Sequence, residues 1–355
     1  MDDAWTAATT CGIVIVTLGG LGTGTCLWPM KVMRTLKFEH YWFIGMLPLI
    51  VVPWLVVLTT IPDPLGAYGE LIATDWRPLV VANLFAVGWG VANVLGGICV
   101  ARIGYVLTGA ILTGLGIVVV VVLPFLVKGT GQFSKAPDIA SAAGIAAMAS
   151  VCVMLVGVVF TALAGFGREK ALQGQHEPDR QATGGFLAGL VMVVIAGVLS
   201  AGAPLAFVYG QGPIHDAMAS HGAGDIPANM AVWAGGLFAG ALVNILYPAF
   251  LMTVNRSWHV LGQCGRELFL SALIGTQLVL SFALTGHGSL LLGPLGASVG
   301  FGIQQATQIV GTQGVGFVSG EWRGVHGKPR RQMYTAIAIL AVGVAILLCA
   351  KKLAG

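Results

Sequence analysis

Uncharged hydrogen-bonding side chains are concentrated in one apolar stretch near the end of the chain, residues 286–322, which also carries ten glycines. An unpaired polar group in hydrocarbon costs several kcal/mol, so a lipid-facing helix has no use for such side chains. Amides both donate and accept hydrogen bonds, and they match a solute that does the same. We predict a helix that lines a polar cavity; the alternative is that these groups only join neighbouring helices. The amides of this stretch that we expect to bind a solute are Gln304, Gln305 and Gln308.

Further candidates for solute binding lie deep in separate apolar segments. Asn93 and Gln277 each place an amide in the middle of such a segment. Trp28 and Trp89 are candidates for aromatic platforms, because a ring face can cover the apolar side of a bound molecule. The alternative for both rings is plain packing, or a position in the aromatic belt at the membrane surface.

Titratable side chains lie at the ends of the apolar segments rather than in their middles. Proton coupling needs a group that is reached from each side of the membrane in turn, and histidine titrates nearest to neutral pH. Four residues are candidates: Glu39, the adjacent His215 and Asp216, and His287. The alternatives are an ion pair with Lys37 or a helix cap for Glu39, a solvated loop pair for His215 and Asp216, and an interfacial hydrogen bond for His287. If none of them couples, the protein is a facilitator.

The elements that hold these residues are expected to be membrane-spanning helices. Of the 355 residues, 56% are hydrophobic and only 9% are charged, with a mean hydropathy of +0.87. Soluble domains carry about 25% charged residues, so the composition excludes a soluble protein. A helix needs about 20 residues to cross about 30 Å of hydrocarbon. Ten segments are long enough: 11–28, 41–60, 78–100, 105–127, 139–166, 184–210, 228–252, 268–285, 289–317 and 334–350.

The distribution of basic residues predicts the orientation of these spans. One set of alternate connections holds thirteen of the eighteen Lys and Arg residues. Because cytoplasmic loops carry the excess of positive charge, this set is expected to be cytoplasmic, with both chain termini outside. The net charge of +4 reflects this bias and does not indicate a nucleic-acid partner.

The chain also looks doubled. Its most hydrophilic connection, 168–183, follows the fifth predicted span and separates the halves 1–167 and 184–355. Because five is odd, two such halves enter the membrane in opposite senses. The predicted fold is an all-α polytopic membrane protein with ten transmembrane helices in two inverted five-helix repeats, and a site at their interface near the midplane.

Neither a metal nor a cofactor is expected. The six cysteines lie scattered and form no CxxC pair, so they suggest neither a disulfide framework nor a zinc site. No clustered set of metal ligands or nucleophiles is recognisable either, which argues against an enzyme.

Short motifs in both halves carry a resemblance to a known family. In the first half they are Pro29-x-Lys31, Glu39-x-x-Trp42, Pro53-Trp54, Gly88-Trp-Gly, Asn93, Gly97 and Arg102-x-Gly104. In the second half they are Ser200-Ala-Gly, Pro213-x-His215-Asp216-Ala217, Asn244, Gln277, Gly286-His287 and Glu321-Trp322. With these motifs the chain resembles the bacterial L-rhamnose–proton symporter family, within the drug/metabolite transporter superfamily. The resemblance implies ten spans in two inverted repeats, a location in the cell inner membrane, and sugar uptake driven by a cation gradient.

One departure from the family leaves the transported molecule open. The eighth and ninth predicted spans hold few aromatic residues, whereas the family carries many there. We therefore expect a secondary transporter that imports L-rhamnose or a related monosaccharide with protons by alternating access. Two alternatives stay open: an exporter or exchanger of amino acids, drugs or nucleotide sugars on the same fold, and a membrane-embedded enzyme that uses His215, Asp216 and His287.

Overall fold

The protein is an all-helical bundle. The structure is a computed structural model that describes residues 2–103, 105–173 and 186–353. Within these ranges every regular element is a helix. Eight helical segments are long and apolar enough to cross a membrane, and a bent helix pair makes a ninth. Part of the predicted connection 168–183 and the start of the predicted sixth span lie outside the described residues.

Fourteen α-helices follow one another along the described chain. In the first half they are α1 (Asp2–Thr25), α2 (Phe38–Met46), α3 (Pro48–Thr60), α4 (Pro64–Asp75), α5 (Arg77–Ile103), α6 (Tyr105–Leu126) and α7 (Ala142–Gln173). In the second half they are α8 (Phe186–Leu199), α9 (Gly202–Ser220), α10 (Asp225–Gly236), α11 (Phe238–Val254), α12 (Gly265–Leu291), α13 (Gly296–Val318) and α14 (Lys328–Leu353).

Several predicted spans are interrupted. α2 and α3 meet at Leu47, where Pro48 opens the new helix because a proline is tolerated at the first helical position. α10 and α11 bend by 49° at their junction. The prediction of a single helix over 289–317 is wrong, because α12 continues to Leu291 and a short 3₁₀ turn precedes α13. Gly293 causes this break with a φ of +71°, a left-handed conformation that ends a helix.

One helix was not expected from hydropathy. α4 lies in the connection between the second and third predicted spans, where the sequence is not apolar enough to indicate a span. Its start follows from local chemistry: Asp63 accepts a hydrogen bond from the Gly66 N–H at 3.0 Å, and Pro64 occupies the first helical position.

Glycine allows α1 to pack closely between α12 and α13. A Cβ atom at Gly19 would lie 2.3 Å from Thr285 Oγ1 on α12, and one at Gly24 would lie 2.1 Å from the Gln308 carbonyl oxygen on α13. Both separations are far below van der Waals contact, so only glycine permits this approach. The close packing brings the backbone of α1 within hydrogen-bonding reach of polar side chains on both neighbours.

The two halves pack against each other in a reciprocal way. α1, the first helix of one half, packs on α12 and α13 of the other. α8 and α9, which begin the second half, pack in turn on α5 and α6 of the first. The last helices of the halves, α7 and α14, form a long pair. Apolar side chains such as Leu84 and Leu187 point outward from this bundle, as expected of a surface in contact with lipid.

Candidate functional site

Four aromatic rings form a continuous row in the interior of the bundle. Trp89 on α5 meets Phe282 on α12 edge to face, with ring centroids 5.8 Å apart. Phe282 stacks on Trp233 of α10 at 5.1 Å, and Trp233 stacks on Phe207 of α9 at 4.8 Å. We call these four residues the aromatic row. Trp89 was a candidate in the sequence, but the other three rings were missed because single aromatics on separate helices make no pattern along the chain.

The row brings the two halves of the chain together. Trp89 belongs to the first half, and the other three rings belong to the second. Phe282 is one of the few aromatic residues in the eighth predicted span, and α5 and α10 supply the rings that it meets, Trp89 and Trp233. The interior therefore does hold the kind of surface that covers the apolar face of a sugar.

Gln304 and Gln305 lie near the middle of α13, one helical turn after Phe301, whose ring centroid is 6.1 Å from that of Phe207 in this row. Gln304 and Gln305 are both buried. Gln304 Nε2 donates a hydrogen bond to Gln308 Oε1 at 3.0 Å, as the i, i+4 spacing predicts. Among the described residues the Gln305 amide has no hydrogen-bond partner. A Cβ atom at Gly116 of α6 would lie 3.4 Å from its Nε2 and 2.7 Å from Ser200 Oγ, so α6 packs closely beside this amide.

Gln277 has a different environment. Its Nε2 donates hydrogen bonds to the Gly22 carbonyl oxygen at 2.9 Å and to Thr25 Oγ1 at 2.7 Å, both on α1. On the other side of α1, Thr312 Oγ1 of α13 donates to the Gly24 carbonyl oxygen at 3.1 Å. These contacts fasten the end of α1 between α12 and α13, so the amide nitrogen of Gln277 is occupied by the protein itself.

Asn93 also bonds to another side chain. Its Nδ2 donates to Asn244 Oδ1 at 3.1 Å, and Trp42 Nε1 donates to the same oxygen at 3.2 Å. Asn244 is completely buried and donates to the Gly240 carbonyl oxygen at 2.9 Å. Three residues that carried the family resemblance, on α2, α5 and α11, thus meet in one hydrogen-bonded group.

Trp28 lies away from these groups. It follows the end of α1 in a short 3₁₀ helix, and its exposed fraction is 41%. Among the described residues it joins no aromatic pair. The structure therefore brings Trp89, Gln304, Gln305 and Gln308 toward the interior and leaves Trp28 at the end of the bundle.

Glu39 is the only buried carboxylate among the acidic side chains that the structure describes, with an exposed fraction of 8%. It lies in the first turn of α2, where the partial positive charge of the helix N-terminus favours an anion. Asn255 Nδ2 donates to its Oε1 at 3.4 Å. Within the described part of the chain no cation lies within salt-bridge distance of it, Lys37 included.

The histidine candidates differ in their surroundings. His215 lies near two exposed carboxylates, 3.5 Å from Asp216 and 3.7 Å from Asp225. His287 is half-buried in α12, and its Nδ1 has no partner among the described residues. The His215–Asp216 pair thus exists as expected from the sequence, but it faces solvent at the end of α9.

A third histidine was not singled out from the sequence. His221 Nε2 lies 2.9 Å from Glu70 Oε2, and its Nδ1 lies 3.4 Å from Asp63 Oδ2. The hydrogen bond with Glu70, together with the charge of Asp63, raises the pKa of His221 above its usual value. The pair joins the end of α9 to α4, and no sequence pattern predicted it because the partners are about 150 residues apart in the chain.

An ionic group at the opposite end of the bundle joins three helices. Glu321, just after α13, pairs with Lys31 and with Arg168, whose Nη2 lies 2.9 Å from Glu321 Oε2. Arg168 Nε also donates to the Glu321 carbonyl oxygen at 3.0 Å. Lys31 follows α1 and Arg168 ends the span in α7, so this group ties both halves of the chain together.

An apolar helical bundle, an interior of amides and stacked rings, and charges kept to its ends define a multi-pass membrane protein. The chain belongs to the L-rhamnose-proton symport protein (RhaT) family, whose pattern it matches over residues 5–355. The family resemblance predicted from the short motifs is thereby confirmed. The family is one of transporters rather than enzymes, and the protein is accordingly a multi-pass protein of the inner membrane.

Curated relatives agree with this assignment. The chain is 22% identical to the L-rhamnose-proton symporter of Yersinia pestis (strain Pestoides F) over 351 residues, which is 96% of each chain. It is 23% identical to the L-rhamnose-proton symporter of Klebsiella pneumoniae (strain 342) over 356 residues, which is 98% of each chain. The similarity is low but covers nearly the whole of both proteins.

Proposed function

We propose that this protein imports L-rhamnose or a related monosaccharide together with protons, by alternating access. Family membership supports proton-coupled sugar symport, and both relatives named above are L-rhamnose-proton symporters. The observation that carries the proposal is the interior itself, where stacked rings and an unpaired amide lie near the middle of crossing helices. That combination suits a sugar, which has an apolar ring face and hydroxyls that both donate and accept.

The central sugar site consists of Trp89, Phe282, Gln304 and Gln305. The rings cover one face of the sugar, and the free Gln305 amide bonds to its hydroxyls beside Gly116. Gln308 contributes by orienting Gln304 through the 3.0 Å hydrogen bond between their amides.

Three other candidate residues act around this centre. Gln277 positions α1, Asn93 holds the group around Asn244, and Trp28 marks the end of α1 where solute leaves or enters. Their existing hydrogen bonds favour positioning over direct contact for Gln277 and Asn93. A sugar that replaced those bonds would have to match them in number.

Proton coupling is assigned to Glu39 among the four candidates. Glu39 is buried and has no cation within salt-bridge distance among the described residues, whereas the carboxylates beside His215 are exposed. Glu39 lies in α2, whose neighbour Trp42 reaches the Asn244 group. His215, Asp216 and His287 are then secondary proton sites along the path.

Ten spans in two inverted halves complete the proposal. Length and hydropathy give nine spans in the described residues, and α13 brings the number to ten. α13 is 23 residues long, and its glycines and glutamines keep its mean hydropathy below that of an ordinary span. The halves 1–167 and 184–355 form the repeats, and the connection 168–183 is cytoplasmic. The reciprocal packing of α1 on α12 and α13, and of α8 and α9 on α5 and α6, supports two related units. The break in the second span of each half supports it as well.

Counterflow in proteoliposomes tests this function. Vesicles loaded with unlabelled L-rhamnose should accumulate labelled rhamnose from outside, and an inward proton gradient should drive uptake into unloaded vesicles. Exchange of another monosaccharide but not of rhamnose would mean that the substrate is a different sugar and that the protein is still a sugar symporter. Uptake that does not depend on the proton gradient would contradict proton coupling. Exchange of an amino acid or a nucleotide sugar, without exchange of any monosaccharide, would contradict the proposed function.

A further inference from the structure

A second group of polar side chains is buried beyond the aromatic row without protein partners. Gln211 Oε1 on α9, and Asn229 Oδ1 and Trp233 Nε1 on α10, have no hydrogen-bond partner among the described residues. Each of the three residues is more than nine-tenths buried. We call Gln211, Asn229 and Trp233 the outer polar cluster.

Helical spacing places these groups on facing surfaces. Gln211 follows Phe207 by four residues on α9, and Asn229 precedes Trp233 by four on α10, so each pair shares a helix face. Phe207 and Trp233 stack at 4.8 Å, which brings the two faces together. A Cβ atom at Gly286 of α12 would lie 2.9 Å from Trp233 Nε1, so the indole N–H points at a place where α12 has no side chain.

α12 adds two hydroxyls beside this glycine. Thr285 Oγ1 and Ser289 Oγ are buried, and neither has a partner among the described residues. Thr285 and Ser289 are one helical turn apart on the helix that carries Gly286. These hydroxyls face other helices, since a Cβ atom at Gly19 of α1 would lie 2.3 Å from Thr285 Oγ1 and one at Gly300 of α13 would lie 2.3 Å from Ser289 Oγ. They therefore flank the outer polar cluster and are not part of it.

The connection between α6 and α7 covers the cluster from the end of the bundle. Gln132 Nε2 donates a hydrogen bond to the Leu290 carbonyl oxygen at 2.8 Å. Gly131 lies against Gln211, since a Cβ atom at this glycine would be 2.4 Å from Gln211 Oε1. Phe133 is fully buried, with its ring centroid 6.4 Å from that of Phe207.

Energy argues that the cluster has a ligand. A buried polar atom without a partner costs about 1–3 kcal/mol, and the outer polar cluster holds three of them. The half-buried amide of Asn83, by contrast, is satisfied by the backbone: it donates to the Leu79 and Gly235 carbonyl oxygens and accepts from the Ala239 N–H. The outer polar cluster keeps groups whose hydrogen bonds must come from something other than the fold.

We propose that the outer polar cluster is a second monosaccharide subsite, which the sugar occupies before it reaches the central site. This subsite rests on the proposed function. By the distribution of basic residues it lies on the external side, opposite the Lys31–Glu321–Arg168 group.

The chemistry of the cluster selects a neutral polyol. It offers the indole N–H of Trp233 and the amides of Gln211 and Asn229, which both donate and accept, and none of these side chains is charged. The cluster therefore has no charge with which to bind an ion, whereas a polyol both donates and accepts hydrogen bonds. Phe207 and Phe282 cover both faces of Trp233, so the sugar enters by displacing this ring from the stack.

The test compares three substitutions with a matched amide. Asn229→Leu, Gln211→Leu and Trp233→Phe are made in the full-length protein, and Asn83→Leu serves as the control because its amide is fully used by the backbone. Uptake of labelled L-rhamnose is measured in right-side-out membrane vesicles, and thermal unfolding is measured in detergent.

For Asn229→Leu and Gln211→Leu we expect the KM for external sugar to rise about tenfold, the loss of roughly one hydrogen bond. Their Tm should be unchanged or higher, since an unpartnered buried oxygen is removed. Trp233→Phe keeps the stack and loses the N–H, so it should raise KM and abolish sugar-dependent quenching of Trp233 fluorescence. Asn83→Leu should lower Tm or folded yield and leave the KM of the folded fraction unchanged.

A KM within twofold of the natural protein for both leucine variants, together with a raised Tm, would overturn the subsite. The cluster would then be a packing defect that binds only water. Failure of the natural protein itself to take up any monosaccharide would instead contradict the proposed function, so the two failures are distinguishable.

Discussion

At the scale of single residues, Gln305 and Gln277 illustrate two uses of a buried amide. Gln305 has no protein partner among the described residues, whereas Gln277 donates two hydrogen bonds to α1. We expect Gln305→Leu to raise the KM for sugar about tenfold with little change in Tm. Gln277→Leu should lower the free energy of unfolding by about 1–3 kcal/mol, because the α1 oxygens lose their donor. Counterflow kinetics and thermal unfolding of both variants check this, and equal effects of the two on KM would contradict it.

Glu39 provides the residue-scale prediction on coupling. Glu39→Gln keeps the size and the hydrogen-bonding capacity of the side chain but cannot release a proton. We expect this variant to retain rhamnose counterflow and to lose accumulation driven by a pH gradient. His215→Gln, which changes a histidine among exposed carboxylates, is the control and should retain most of the accumulation. If Glu39→Gln accumulates rhamnose to the level of the natural protein, a residue other than Glu39 carries the coupled proton.

The pH dependence of stability follows from His221. Its pKa is raised in the folded protein by the hydrogen bond with Glu70 and the charge of Asp63. The contribution of this contact is therefore fully present below the unfolded pKa of about 6.5, and it is lost as the pH rises through the folded pKa. We expect Tm to decrease over that rise, and His221→Gln to flatten the decrease. Thermal unfolding at several pH values measures this; high salt should weaken it, because the pair is solvent-accessible.

At the scale of helices, the packing of α1 depends on the absence of side chains. A Cβ atom at Gly24 would meet the Gln308 carbonyl oxygen at 2.1 Å, while one at Gly314 on α13 would meet nothing within 4 Å. We expect Gly24→Ala to separate α1 from α13 and destabilise the protein by about 1–3 kcal/mol. Gly314→Ala should be neutral or stabilising, since alanine is the better helix former. Unfolding in mild detergent compares the two variants, and an equal loss in both would mean that backbone freedom matters rather than close packing.

Helix interruptions are the other feature of this scale. The break at Gly293 separates α12 from α13 and lets their polar residues lie on different sides of α1. Had the two formed one helix, Gln277 and Gln305 could not both lie near the middle of a crossing helix. A second interruption is the 49° bend between α10 and α11, which follows directly after the turn of α10 that carries Trp233.

At the scale of the whole molecule, the Lys31–Glu321–Arg168 group connects the halves. Glu321 has two cationic partners and Lys31 has one in this group, so we expect Glu321→Gln to reduce the transport rate more than Lys31→Met. Because both changes break the same contact, the double variant should be no slower than Glu321→Gln alone. Initial rates at saturating sugar for the four proteins measure this coupling. Strictly additive effects on the free energy of activation would mean that the contact plays no part in the transport cycle.

The amino-acid sequence by itself determined the class, the family and the main polar helix of this protein. Composition and segment length are local properties, and a bilayer imposes them directly, because every backbone group must be satisfied within its own helix. The amides of α13, the ring of Trp89 and the titratable candidates could be named for the same reason: polar residues in apolar segments stand out along the chain. The short motifs that indicated the family are likewise readable one after another.

Only the tertiary structure decided which of these residues have partners. Gln277 bonds to α1 and Gln305 does not, Phe282 meets both Trp89 and Trp233, and Glu39 is buried, yet none of this has a pattern in the sequence. The physical reason is that a side chain's partners depend on which faces of distant helices pack together. Those faces are set by close backbone approach and by helix breaks, which act between residues hundreds of positions apart.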